Sequence, residues 1–169
     1  MTLRLILIRH AKSNWDDPTM EDHDRPLNGR GQASASAIGD WMFSRGYLPD
    51  QVLCSTATRT KETCDLVLEK LRTKPEIKWE SSLYHATPEQ MLDSLRGARG
   101  DTVMMVGHNP GCGYAAGALA ATPPVHPRFG LYPTGATTVY DFGVASWDQV
   151  TWGTGQVLDF VVPRDLGVD

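Results

Sequence analysis

The chain has 169 residues, 41% of them hydrophobic and 21% charged, with a net charge of −4, a length that suits one domain over 1–169 with a sizeable core. The acidic balance argues against nucleic acid as a partner, which would call for a basic stripe, and against a membrane there is no stretch long and apolar enough to span a bilayer. Three cysteines, Cys54, Cys64 and Cys112, make no CxxC pair and predict free thiols in a reducing, cytoplasmic compartment; the opening apolar run is shorter than the core of a secretory leader.

The first element is the apolar run 3–8, which ends at Arg9-His10. Rich in Leu and Ile, it reads as a strand buried on both faces, and a cation beside an imidazole at its C-terminal end stands where open α/β sheets keep their chemistry. A turn-rich stretch, Asp24 to Gln32, leads into a helix over 30–45, whose internal Gly39 and serines leave tertiary packing to hold it. A second strand, 51–54, runs into Ser55-Thr56-Ala57-Thr58-Arg59-Thr60 and a helix over 58–71. Hydroxyl residues there offer caps, and a cation in a first helical turn, normally disfavoured, implies an anion at that point. The plain alternative pairs Arg59 with Glu62 or Asp65.

A helix over 88–96 follows, then a strand over 102–106 that ends in Gly107-His108-Asn109-Pro110-Gly111. Asn109 suits a cap and Pro110 the first position of a helix over 110–121. The Pro-rich segment 122–133 is the longest irregular stretch and reads as a surface crossing, with contact to a macromolecular substrate as the alternative. Strands over 136–142 and 156–162 close the chain without intervening helices. This order predicts an α/β fold with three αβα layers and a mostly parallel sheet that gains an antiparallel edge towards the C-terminus.

Taken together, Leu-Ile-Arg-His-Ala-Lys-Ser at 7–13, Asp-Arg-Pro-Leu-Asn at 24–28, Ser-Thr-Ala-Thr-Arg-Thr at 55–60, Leu-Tyr-His-Ala at 83–86, Val-Gly-His-Asn-Pro-Gly at 106–111 and Pro-Thr-Gly-Ala at 133–136 resemble the histidine phosphatase superfamily. Within it they resemble the short, SixA-like branch of protein-phosphohistidine phosphatases. The resemblance implies that His10 is a nucleophile that carries a phosphoryl group, and that Arg9, Arg59 and His108 complete a phosphate pocket. It implies phosphohistidine protein or a small phosphorylated metabolite as substrate, and inorganic phosphate as product. Two positions depart from it. Asp16 stands where larger members have an Asn that touches phosphate, and a carboxylate there would repel it. His85 stands where relatives carry a proton-donating carboxylic acid, which leaves His85, Glu80 and Glu89 as candidates for that role.

The residue types fit this chemistry. Phosphoryl transfer is largely positioning and charge stabilisation, and guanidiniums supply a permanent planar fork of donors. A neutral imidazole offers a lone pair, and nearby arginines are expected to lower the His10 pKa from its ordinary ~6.5. No Walker loop, GxGxxG or HExxH occurs, so no metal and no nucleotide cofactor is expected. Two rivals use the same pocket: a phosphate- or phosphoprotein-binding module without turnover, and a phosphoglycerate-type mutase. A third, a cysteine-phosphatase loop built on Cys54 and Arg59, is one residue short of the required spacing.

Overall fold

The computed structural model describes residues 2–168. In chain order the main elements are β1 (Leu3–Arg9), α1 (Gly29–Arg45), β2 (Gln51–Ser55), α2 (Thr58–Leu71), β3 (Glu76–Glu80), α3 (Pro88–Arg96), β4 (Thr102–Gly107), α4 (Gly111–Leu119), β5 (Thr137–Phe142) and β6 (Gln156–Val161). They build one six-stranded sheet in the order β3-β2-β4-β1-β5-β6. β1 pairs parallel with β4 and antiparallel with β5, so the mostly parallel sheet with an antiparallel C-terminal side is as expected.

Strand alternation divides the core. Leu3, Leu5 and Leu7 of β1 pack with Met91, Leu92 and Leu95 of α3 and with Cys112, Ala115 and Leu119 of α4, whereas Ile6 and Ile8 face Ile38 and Met42 of α1 and Val67 and Leu71 of α2. Side chains two apart share a face, so the continuous apolar run supplies both layers.

β3 had no counterpart in the sequence reading. Its segment Glu-Ile-Lys-Trp-Glu has only two apolar residues and gives no hydrophobic run. It becomes a strand because β2 offers a free edge, to which it adds in parallel with Ile77 opposite Val52, and its Glu and Lys residues are typical of a protected sheet edge. Gly39 also finds its reason. A Cβ there would lie 2.7 Å from Cβ of Lys70 and 2.8 Å from the carbonyl oxygen of Val67, so α1 and α2 touch at a point that admits only hydrogen.

The start of α1 is fixed on the chain that follows β1. Asn28 caps the helix through a hydrogen bond from the Gly31 amide (2.8 Å) and donates its own amide to the carbonyl oxygen of Lys12 (3.0 Å). A Cβ on Gly31 would come within 2.0 Å of that same oxygen. Gly31→Ala is therefore expected to cost about 2–4 kcal/mol, since backbone must move on both sides of the contact. Urea unfolding measures this, and a loss below about 0.5 kcal/mol, the scale of an ordinary surface change, would contradict it.

Candidate active site

Three strand ends converge. His10 follows β1, Ser55 ends β2 and His108 follows β4, and these C-terminal ends lie side by side because β4 sits between β1 and β2. They open into a cleft of about 430 Å³ whose lining includes Arg9, His10, Arg25, Arg59, His85 and His108. All five expected residues thus come together, and Arg25 joins them.

His10 is held by its backbone and its ring. Its amide donates to the carbonyl oxygen of Gly107 (3.1 Å), and Nδ1 lies 2.7 Å from the carbonyl oxygen of Ala11. A carbonyl only accepts, so Nδ1 carries the hydrogen and the lone pair falls on Nε2. Burial, with Arg59, Arg9 and Arg25 adding positive charge, lowers the His10 pKa to about 3. The ring is neutral at physiological pH, as the sequence led one to expect. His108 lies with its ring centroid 5.3 Å from that of His10 and its Nε2 2.8 Å from the Ser55 hydroxyl. Burial, then the neighbouring His10 and Arg59, push its pKa down to about 2.

These two shifts make stability depend on pH. Above pH ~6.5 both rings are neutral whether the chain is folded or not, and they contribute nothing. As the pH falls below that value the unfolded chain takes up protons that the folded one refuses, so stability is lost at up to about 1.4 kcal/mol per pH unit for each ring. Urea midpoints should therefore drop between pH 7 and pH 5; equal midpoints would refute the neutral-ring assignment.

The arginines are anchored on their outer edges. Arg9 ends β1 and donates from Nη1 to the carbonyl oxygen of Tyr132 (3.1 Å), which also accepts from Nδ2 of Asn109 (2.9 Å). Tyr132 is fully buried, its hydroxyl donating to the Leu7 carbonyl. The Pro-rich segment is thus more than a surface crossing, since its last turn positions Arg9. Arg59 stands in the first turn of α2 and meets an anion there. That anion is Asp22, not Glu62 or Asp65: Nη2 donates to Oδ2 (3.0 Å) and Nη1 to the main-chain oxygen (2.7 Å). The hydroxyl caps expected for α2 are absent, because its N-cap is Ala57 and Ser55 turns its hydroxyl towards His108.

Several side-chain nitrogens of the cleft residues are left over. Among the described residues, four buried side-chain nitrogens lack a hydrogen-bond partner: Nε of Arg9, Arg25 and Arg59, and Nδ1 of His108. All four belong to residues that line this cleft. Leaving such a group unpaired costs about 1–3 kcal/mol, so three guanidiniums and one imidazole around this cleft retain hydrogen-bonding capacity that the protein itself does not use.

The proton-donor candidates separate. His85 reaches the cleft, its side chain 61% exposed and its Nε2 3.7 Å from Oδ2 of Asp22. Its ring packs against that of Tyr84, tilted by 40° with 3.9 Å between centroids, and it adopts φ +58°, a left-handed conformation in which His is enriched. Glu80 is turned away, held by the Ser94 hydroxyl and by Lys78 at 3.3 Å. Glu89 lies exposed in the first turn of α3 and does not line the cleft. Asp16 is exposed and outside the lining too. Cys54 is fully buried with its thiol pKa raised, burial being the main cause, so it cannot supply the thiolate of the cysteine-loop rival. Trp15 lies at the mouth with the Arg25 guanidinium 3.5 Å from its ring centroid.

Comparison with known proteins agrees with this geometry. A family model described as histidine phosphatase superfamily (branch 1) matches residues 5–81. The uncharacterised protein Rv1276c of Mycobacterium tuberculosis is 34% identical over 164 residues, covering 93% of this chain and 100% of that protein. An uncharacterised chloroplastic protein of Arabidopsis thaliana, At3g52155, is 33% identical over 132 residues, or 69% of this chain, which spans only 59% of its length. A solved structure from Agrobacterium tumefaciens that carries the name phosphohistidine phosphatase SixA superposes with a TM-score of 0.79 at 29% identity, covering 95% of this chain and 98% of that one. With its strand-end His10, its arginines and His108 in one cleft, the chain belongs to the histidine phosphatase superfamily, on its SixA-like side.

Proposed function

We propose that this protein is a phosphatase that works through a phosphohistidine on His10, without a metal, on protein phosphohistidine or a small phosphorylated substrate. The observation that carries the reading is the Nδ1–H to Ala11 contact, which leaves the Nε2 lone pair of a neutral ring among guanidinium nitrogens that have no other partner. Nε2 attacks phosphorus, the N–P bond forms as the bond to the leaving atom breaks, and that electron pair departs with the leaving group. Water then attacks the phosphorus, the N–P pair returns to His10, and inorganic phosphate is released. Arg9, Arg59 and His108 hold the peripheral oxygens in both steps, the task a metal performs elsewhere. Three buried free thiols fit a reducing compartment, the cytoplasm.

The leaving group sets the substrate class. An alkoxide needs a proton, an assistance worth ~10²- to 10⁴-fold, whereas imidazole leaves phosphohistidine with less help. Once Glu80 and Glu89 are set aside, His85 is the proton donor this reading assigns. His85→Ala is expected to slow alkyl phosphates by roughly tenfold or more and p-nitrophenyl phosphate little; equal losses on both would remove His85 from the role. The reading as a whole is tested by measuring vanadate-sensitive release of phosphate from phosphohistidine protein and from p-nitrophenyl phosphate in EDTA. Turnover of both, faster on phosphohistidine, is expected. Binding without turnover would favour a recognition module, and loss of activity on chelation would defeat metal independence.

A further inference from the structure

Asp22 makes hydrogen bonds to three side chains around the site, those of Arg25, Arg59 and Tyr84, yet it does not line the cleft. It sits at the start of a 3-10 turn, Asp22–Asp24. Oδ1 accepts from Nη2 of Arg25 (3.0 Å), and Oδ2 accepts from Nη2 of Arg59 (3.0 Å) and from the Tyr84 hydroxyl. Arg25 is buried and braced further by Ser13. Each carboxylate oxygen thus takes one guanidinium by a terminal nitrogen, and in both arginines the Nε left over is buried without a partner.

We propose that Asp22 is a positioning residue of the phosphoryl site: it bridges Arg25 and Arg59, holds two mutually repelling guanidiniums side by side, and leaves their inner edges for substrate oxygens. Arg25 thereby becomes a third guanidinium of the pocket beside Arg9 and Arg59. The inference rests on the phosphatase reading for its kinetic consequence but not for its binding consequence. Two like charges close together in a partly buried site repel by an amount that orientation alone cannot absorb, and a carboxylate between them removes that cost. Partial burial works against the charged carboxylate, but the hydrogen bonds from Tyr84, Arg25 and Arg59 outweigh it and hold the carboxyl well below the usual range. Asp22 therefore stays ionised and cannot be the missing proton donor. The same negative charge also opposes an incoming anion, so the bridge trades some affinity for orientation.

Asp22→Asn keeps the size of the side chain while removing its charge, and the turn's exposure makes folding of the variant straightforward to check by melting temperature. The expected result is a split. The kcat on p-nitrophenyl phosphate falls roughly tenfold to a hundredfold, as when reacting groups are misplaced by a fraction of an ångström or more, while tungstate, a tetrahedral dianion, binds about threefold to tenfold tighter because a nearby negative charge has gone. Asp22→Glu restores the charge and is expected to return tungstate affinity to the wild-type value and to recover part of kcat. A purely structural role would lower melting temperature and weaken tungstate binding together, and that result overturns the proposal, as does a wild-type kcat in Asp22→Asn. A wild-type protein that binds tungstate and turns nothing over would defeat the phosphatase reading alone, and the tungstate measurements on the two variants would still decide the role of Asp22.

Discussion

His10→Asn is expected to reduce turnover by roughly 10⁴- to 10⁶-fold, the range seen when a covalent nucleophile is removed from an otherwise intact site. Asparagine is close in shape to the inner half of the ring, and its amide nitrogen can donate towards Ala11 as Nδ1 does, but it has no lone pair to attack phosphorus. Anion binding should survive, because the guanidiniums are held from behind by Tyr132 and Asp22 and not by His10. The informative outcome is therefore a dead enzyme with tungstate affinity within about threefold of wild type, the change expected when a neutral ring is replaced by a neutral amide. A variant that keeps more than about a hundredth of wild-type kcat would mean that another group attacks or that water attacks directly.

Arg59→Lys carries the second large effect. Lysine keeps the charge but loses the planar fork, and Arg59 uses that fork: two terminal nitrogens grip Asp22, while the guanidinium lines the cleft with a buried Nε that has no partner. A single ammonium cannot do both. The loss in kcat/KM is expected at roughly 10²- to 10³-fold, comparable to deleting one donor to transition-state charge. Near-wild-type kcat/KM in Arg59→Lys would show that Arg59 supplies only charge. Steady-state kinetics with a melting curve on the same preparation separates this from misfolding, since Arg59 is 3% exposed and its loss also touches packing.

Much of this architecture can be read in the residues. The apolar runs, the turn-rich stretch before α1 and the helix start after His108 give the order of strands and helices to within a residue or two, because burial on both faces leaves a continuous hydrophobic signal. Asn109 falls one residue short of the expected cap: α4 begins at Gly111 with Pro110 as its N-cap, although the Asn109 side chain still accepts from the Gly113 amide at 3.1 Å. β3 escapes because an exposed edge strand needs no such run. The site residues at strand ends were legible by position, but the network behind them was not. Asp22 with Arg25, Ser55 and Tyr84 come from three separate stretches, and their contacts are set by how the 10–28 loop folds over α2, which no local pattern encodes. The one available signal was the i,i+3 spacing of Asp22 and Arg25 in a stretch otherwise read as turn.

The central claim is that Nε2 of His10 accepts the phosphoryl group. Mixing the enzyme with p-nitrophenyl phosphate, quenching rapidly at alkaline pH and mapping the adduct by mass spectrometry tests it most directly. The account predicts one PO₃ on the peptide that contains His10, formed before product release and absent in His10→Asn. Phosphate on any other side chain during turnover, or turnover with no labelled residue at all, would contradict it.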